Sequence, residues 1–328
     1  MKTRIIIFLI ILALIFPVAG CFKKVTVQSL LEDAAKKLED AESFQMDAKL
    51  EVDVEIEIET MSVGILAEAE ATGKITGDTA HLEGNLSYSA MGEKEKIDFE
   101  AYLVQEKDEM TAYADMGEGW SKSGIDEDDD DFDDAKKLMD GLKLYKMVEQ
   151  LVEYADDLEL SKKTEKVGKI DAYVIEGKVS GEFIIDYLKS LDIEEIEEQI
   201  EDMLDQGDVD LEDYEVDIKL LIDKKTKLPV LLEIDFADIV GKVVDQMLGG
   251  MMAPIMSYDG EDENEDDDDD EELSPSTSVK TCMLEIEFSS YNDVKTVKVP
   301  KDVMSEAEEN DDYIDSIDNA QDILDDLW

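Results

Sequence analysis

From Met46 to Glu59 the chain alternates without a break, with Met46, Ala48, Leu50, Val52, Val54, Ile56 and Ile58 on one parity and Asp47, Lys49, Glu51, Asp53, Glu55, Glu57 and Glu59 on the other. A period of two held this long predicts a strand with one face in the core and one in water. The alternation returns at Leu82, Gly84, Leu86, Tyr88 and Ala90, and again at Ile97, Phe99, Ala101 and Leu103. Gly77-Asp78 and Gly92-Glu93 are the expected turns. A shorter run from Met110 to Met116, followed by Gly117-Glu118-Gly119 and Trp120, completes an antiparallel meander.

Helical periods are interleaved with the strands. Ser29-Leu30-Leu31-Glu32 has capping-box form, and Leu31, Ala34, Ala35 and Leu38 follow at helical spacing, so a first helix is expected to end near Ser43. Leu138, Leu142, Tyr145, Val148 and Ala155 predict a second helix, and the stretch from Phe183 to Leu204 a third. Strands are expected on either side of Gly168, the second carrying Tyr173, Ile175 and Val179. Others run from Tyr214 to Ile222 and from Val230 to Phe236, with Pro229 at a strand start, where no ladder donor is needed. Cys282, Leu284, Ile286 and Phe288 alternate in a further strand, and Val297 and Val299 suggest a last one before Pro300.

About eleven strand candidates with a few helices and no dividing linker predict one α+β domain over residues 29–300. Its expected form is a large, mostly antiparallel sheet with helices packed against one face, curled because a sheet that wide does not stay flat. Acidic loops are expected at 126–134 and 261–278, and residues 301–328 read as an acidic tail, with weak amphipathic helical character from Asp312 to Trp328.

The first residues change the setting. Lys2 and Arg4 precede an unbroken apolar run from Ile5 to Phe16, too short for a spanning helix and laid out as a secretory signal over residues 1–20. Val18, Ala19, Gly20 and Cys21 resemble the lipobox of bacterial lipoproteins. The resemblance implies that Cys21 is acylated, that residues 21–28 are a lipidated tether, and that the membrane is a partner through this N-terminal anchor. The expected location is therefore extracytoplasmic. With Cys21 acylated, Cys282 is solitary and no intrachain disulfide forms.

The 328 residues carry 88 acidic and 31 basic side chains, for a net charge of −57. Such a charge disfavours nucleic acid and suits a soluble body that attracts cations weakly at its acidic loops. Asp126 to Asp134 lacks the sixth-position glycine and twelfth-position glutamate of a calcium loop, so no ordered metal site is expected. His81, the single histidine, falls on the wet parity beside Glu83 and Asn85 and reads as a surface residue. No nucleophile elbow, phosphate-binding glycine loop, HExxH or paired CxxC occurs, and neither an enzyme nor a cofactor is expected.

The lipobox, the first helix, Ser43-Phe44 before long alternating strands, the hairpin from Ile222 to Pro229, and the ending Tyr291-Asn292-Asp293-Val294 through Val299-Pro300 together resemble uncharacterised bacterial surface lipoproteins. These are similar to the LolA/LolB and LppX/LprG-type carriers. The resemblance implies a half-barrel whose apolar cavity holds acyl chains, so a lipid or another apolar ligand is the expected partner. The acidic runs depart from that pattern. Candidate cavity residues are Leu50, Val52, Val54, Ile56, Leu86, Tyr88, Ile97 and Phe99, with Met247 and Met251 as a mobile lip. The alternative is a filled core in an acidic surface protein that contacts cations, wall polymer or another protein.

Overall fold

The computed structural model describes residues 25–58, 61–90, 93–107, 109–126, 132, 136–137, 139, 144–191, 211, 214–245 and 276–309. The signal region, the center of each acidic run, and Met247 and Met251 lie outside the described residues.

The first helix, α1, spans Val27–Glu39 and buries Leu30, Leu31, Ala34, Ala35 and Leu38. Its capping box lies three residues earlier than Ser29-Leu30-Leu31-Glu32 suggests. Thr26 Oγ1 accepts the Ser29 N–H at 3.2 Å, and Ser29 Oγ accepts the Thr26 N–H at 3.1 Å. The helix also stops before Ser43, which already belongs to the sheet.

Six strands follow as a meander: β1 Ser43–Ile58, β2 Met61–Thr76, β3 Thr79–Ala90, β4 Glu93–Gln105, β5 Glu109–Asp115 and β6 Trp120–Asp126. Helix α2 spans Tyr145–Gln150, and strands β7 (Leu158–Val167) and β8 (Ile170–Ser180) form a hairpin around Gly168. Helix α3 spans Glu182–Ser190; β9 (Glu215–Asp223) and β10 (Pro229–Asp235) form a second hairpin. Residues 237–245 are helical, and β11 (Ser276–Ser289) returns to the sheet. The loop expected to reach residue 278 therefore gives way to a strand at Ser276, where alternate pairing with β1 begins.

Among the described residues the sheet has twelve strands in the order β12-β6-β5-β4-β3-β2-β1-β11-β10-β9-β8-β7, where β12 is the two-residue strand Glu308–Glu309. Every adjacent pair is antiparallel except β12 with β6. The outermost strands, β7 and β12, do not pair with each other, so the sheet is an open half-barrel. One buried cluster joins Leu30, Leu31 and Leu38 of α1 to Val148 of α2, Phe183 of α3, Phe44, Ile75 and Met110 of one wing, and Ile175, Leu220 and Ile234 of the other. Strands from both wings can reach the same helices only if the sheet curls around them. Each fully buried Leu contributes on the order of 2 kcal/mol of apolar transfer.

Two strand expectations change. Val297 and Val299 lie outside any strand; the Val297 N–H instead donates to Thr76 Oγ1 at 3.1 Å as the chain crosses the end of β2. From there it enters helix α4, Lys301–Glu306, whose Val303 is buried. Conversely, β2 is a strand that hydrophobic alternation conceals. Its inner positions include Ala67, Ala69, Ala71 and Gly73, small residues interleaved with Glu68 and Glu70. Alanine and glutamate are good helix formers, but pairing with β1 and β3 along the full length overrides that preference.

Candidate functional site

The register of the meander stacks the apolar parity of its strands into rows. Phe44, Ile75, Ala80 and Leu103 share one row at the helix-covered end and belong to or pack against the core cluster. Two residues further along each strand, Met46 packs on Gly73, where a Cβ would sit 2.6 Å from Met46 Cε. Next comes the row Ala48, Ala71, Gly84 and Phe99. The Phe99 ring closes over Gly84: a Cβ there would meet Phe99 Cζ at 2.7 Å and collide with the Glu70 carbonyl. Glycine is therefore needed where the β2 backbone and the Phe99 ring crowd this position of β3.

Beyond Phe99 the cover thins. Leu50, Ala69, Leu86 and Ile97 form the next row, flanked by Leu284 of β11 and, through it, Ile234 of β10. Leu50 and Ile97 are partly buried, and Leu86 keeps 37% of its surface exposed. Val52, Ala67 and Tyr88 make the row after that, with Cys282 on the other side of Val52. This row turns polar at β4, where the Tyr88 hydroxyl donates to Glu95 Oε2 at 2.6 Å. The structure thus brings Leu50, Val52, Leu86, Tyr88, Ile97 and Phe99 onto one contiguous face. Val54 and Ile56 continue the same parity but are buried to 4% and 5% exposure. They are packed side chains, in contrast to the open rows.

The opposite face is acidic. A groove of about 730 Å³ crosses β11 and β1 to β5 there, lined by Asp47, Glu70, Glu83, Asp98, Glu285 and other carboxylates around Lys49. Lys49 Nζ lies 3.2 Å from Glu51, which with neighbouring carboxylates holds the ammonium pKa above its ordinary value. Among the described residues, no group of three His, Cys, Asp or Glu side chains has metal-holding geometry.

Two individual residues refine the picture. His81 does lie on the wet parity, but only 11% of its side chain is exposed. Its Nε2 is 2.9 Å from Glu100 Oε1, and its ring stacks on Tyr102 at 4.3 Å. The Tyr102 hydroxyl donates to the same oxygen at 2.7 Å, and burial together with Glu100 pushes its pKa up. Trp120 lies against Tyr102 at 5.8 Å, and Asp302 of α4 contributes to the field on the hydroxyl. The aromatic parity of Tyr102 and Trp120 was the available signal for this small cluster. Cys282 is a free buried cysteine, and burial with help from Asp235 pushes its thiol pKa up, as expected of an inert core group.

No helix among the described residues is long and apolar enough to cross a membrane. No curated protein matches the chain. Among solved structures the chain is similar to LprF from Mycobacterium bovis, at 11% identity and a TM-score of 0.40, covering 84% of this chain and 96% of that one. The Mycobacterium tuberculosis lipoprotein LppX is similar at 12% identity and 0.35, covering 83% and 98%. A DUF1329 family protein from Desulfovibrio piger is similar at 10% identity and 0.20, covering 84% and 94%. Residues 26–239, from the capping threonine of α1 into the helix after β10, match a family model, and the chain belongs to that family of unknown function, DUF6612.

Proposed function

We propose that the chain is an extracytoplasmic lipoprotein, tethered through acyl chains on Cys21, that holds the apolar part of a lipid or similar ligand against the inner face of β1 to β4 without catalysing a reaction. One observation carries this reading. Leu50, Ala69, Leu86 and Ile97 form a continuous apolar row in which Leu86 is 37% exposed, and none of the four belongs to the packed core cluster. A contiguous apolar face left half open marks a ligand or partner surface more often than a defect of packing. Two acyl chains on Cys21 would satisfy the two-signal requirement for stable anchoring, and Lys23 and Lys24, two and three residues further along the sequence, would add attraction to anionic headgroups.

Native mass spectrometry after mild extraction tests the ligand. The wild-type chain is expected to carry acyl-containing mass, and Leu86→Glu to lose it while keeping its circular dichroism and urea midpoint. A bare wild-type chain, with the Leu50 row protected from solvent labelling, would overturn the reading. It would favour an acidic surface protein with a filled core, for which the groove of about 730 Å³ on the wet face is the contact surface. Cys21→Ser tests the tether separately: membrane retention with normal processing in that variant would exclude acylation at Cys21.

A further inference from the structure

In a chain of net charge −57, two neighbouring hairpin tips carry the opposite sign. Lys162, Lys163, Lys166 and Lys169 lie along β7 and its turn into β8, and Lys224, Lys225 and Lys227 in the turn from β9 to β10. Glu165, Asp171 and Asp223 are the only carboxylates in residues 162–171 and 223–227, leaving these two stretches at net +4. All three are engaged locally. Glu165 pairs with Lys219 at 3.2 Å, Asp171 faces Lys166 at 3.7 Å, and Asp223 accepts the Lys225 N–H at 2.9 Å and the Thr226 hydroxyl at 2.7 Å.

The tips are held together as one surface. Strands β7 to β10 are contiguous in the sheet, and the Lys224 N–H donates to the Asp171 carbonyl at 3.0 Å. Lys227 Nζ lies 4.2 Å and Lys224 Nζ 5.5 Å from the centroid of the Tyr173 ring, which fixes two ammonium groups beside the turn. Ile170, next to Lys169 at the first tip, is 37% exposed. Lysines on an edge strand commonly guard it against pairing, which accounts for Lys162 and Lys163. It does not account for Lys224, Lys225 and Lys227, because β9 and β10 are both interior strands.

We propose that these two tips are the surface through which the folded body rests on an anionic lipid bilayer, with the lysines at the headgroups and Ile170 at the interface. At physiological salt the screening length is about 8 Å, so charges near the contact decide attraction and the distant acidic surface is screened. The inference goes beyond the ligand reading, since it concerns which end of the sheet faces the membrane and needs no ligand on the inner face.

The test uses the full chain reconstituted on vesicles of phosphatidylcholine, with or without phosphatidylglycerol, and a membrane-impermeant amine-acylating reagent read lysine by lysine by peptide mass spectrometry. Lys94 and Lys96, exposed beside the β3–β4 turn at the opposite strand ends, are internal references. Anionic vesicles are expected to slow labelling of Lys162, Lys163, Lys169 and Lys225 on the order of five-fold or more, leaving Lys94 and Lys96 unchanged. High salt should erase the protection. Lys169→Gln combined with Lys225→Gln, with circular dichroism preserved, should reduce the protection of Lys162 and Lys163. Equal labelling on both vesicle types, or equal protection of Lys94 and Lys96, overturns the proposal. So does protection that grows with protein concentration on neutral vesicles, which would assign the tips to a second copy of the chain. Loss of the acyl-ligand reading would leave this labelling pattern intact, so the two failures are distinguishable.

Discussion

Asn292, at φ +56°, accepts the backbone N–H of Glu42 through its side-chain Oδ1 at 2.8 Å. Its own N–H donates to the Ser43 carbonyl at 2.7 Å, so one residue just beyond β11 closes the entry to β1 from a distance of 250 positions in sequence. The neighbouring Tyr291 hydroxyl donates to the Pro229 carbonyl at 2.9 Å, and its burial pushes its pKa up. Tyr291-Asn292 is thus a clamp at the center of the sheet, where the two wings meet at the β1–β11 pair.

Removing that clamp has a separable cost. Asn292→Ala is expected to destabilise the chain by about 1–2 kcal/mol, mainly through the strained left-handed backbone, with a smaller part from the lost acceptor at the exposed Glu42 N–H, which water can replace. Asn292→Gly relieves the backbone strain but still loses the side-chain acceptor, so its urea midpoint should fall between wild type and alanine. Indistinguishable midpoints for the three proteins would show that the contact contributes nothing.

Gly84 offers a steric test of the inner face. A methyl there meets both the Glu70 carbonyl and the Phe99 ring. Gly84→Ala is expected to cost about 1–3 kcal/mol by overpacking, and pairing it with Phe99→Leu should recover only part, because the carbonyl belongs to the backbone. Full recovery in the double variant, measured by chemical denaturation, would show that β2 and β3 can separate at that point.

Asp223 supports the β9–β10 turn in a pH-dependent way. Burial alone would raise its pKa, but the Lys225 N–H and the Thr226 hydroxyl outweigh it and bring the pKa below the ordinary carboxylate value. A depressed folded-state pKa gives stability that is present above the unfolded-state value and lost as pH falls through the folded one. Asp223→Ala is therefore expected to be less stable than wild type by about 1 kcal/mol at neutral pH, with the difference shrinking as acid is added below pH of about 4. A gap that stayed constant across the acid titration would contradict the assignment.

Cys282 should be silent in the folded state. The residue is 5% exposed, and its thiol pKa is raised by burial and by Asp235. An aromatic disulfide reagent at mildly alkaline pH is expected to modify it only at the rate of unfolding, rising steeply in urea. Prompt reaction in native buffer would mean that the β10–β11 region opens locally.

Most strands were legible because a period of two needs no knowledge of neighbours: β1, β3, β4, β9, β10 and β11 coincide with the alternating runs. The inner parity was legible for the same reason, which is why Leu50, Val52, Leu86, Tyr88, Ile97 and Phe99 fall on one face. The alanine-rich inner side of β2 gave no such signal, and Val297 and Val299 carried one that the ladder does not use. His81 also looked exposed because its partners, the Tyr102 ring and the Glu100 carboxylate, come from the next strand of the meander.

The amino-acid sequence by itself determined the faces of the strands and the strongly negative net charge, both of which are local or compositional properties. Tertiary structure alone decided that β11 enters beside β1, that the helices cover the Phe44 row while leaving the Leu50–Leu86 row half open, and that lysines from separate hairpins share one end of the sheet. The physical reason is range. Side-chain alternation is set by backbone geometry within a few residues, whereas cover, register and charge grouping depend on segments that meet only when the chain has folded.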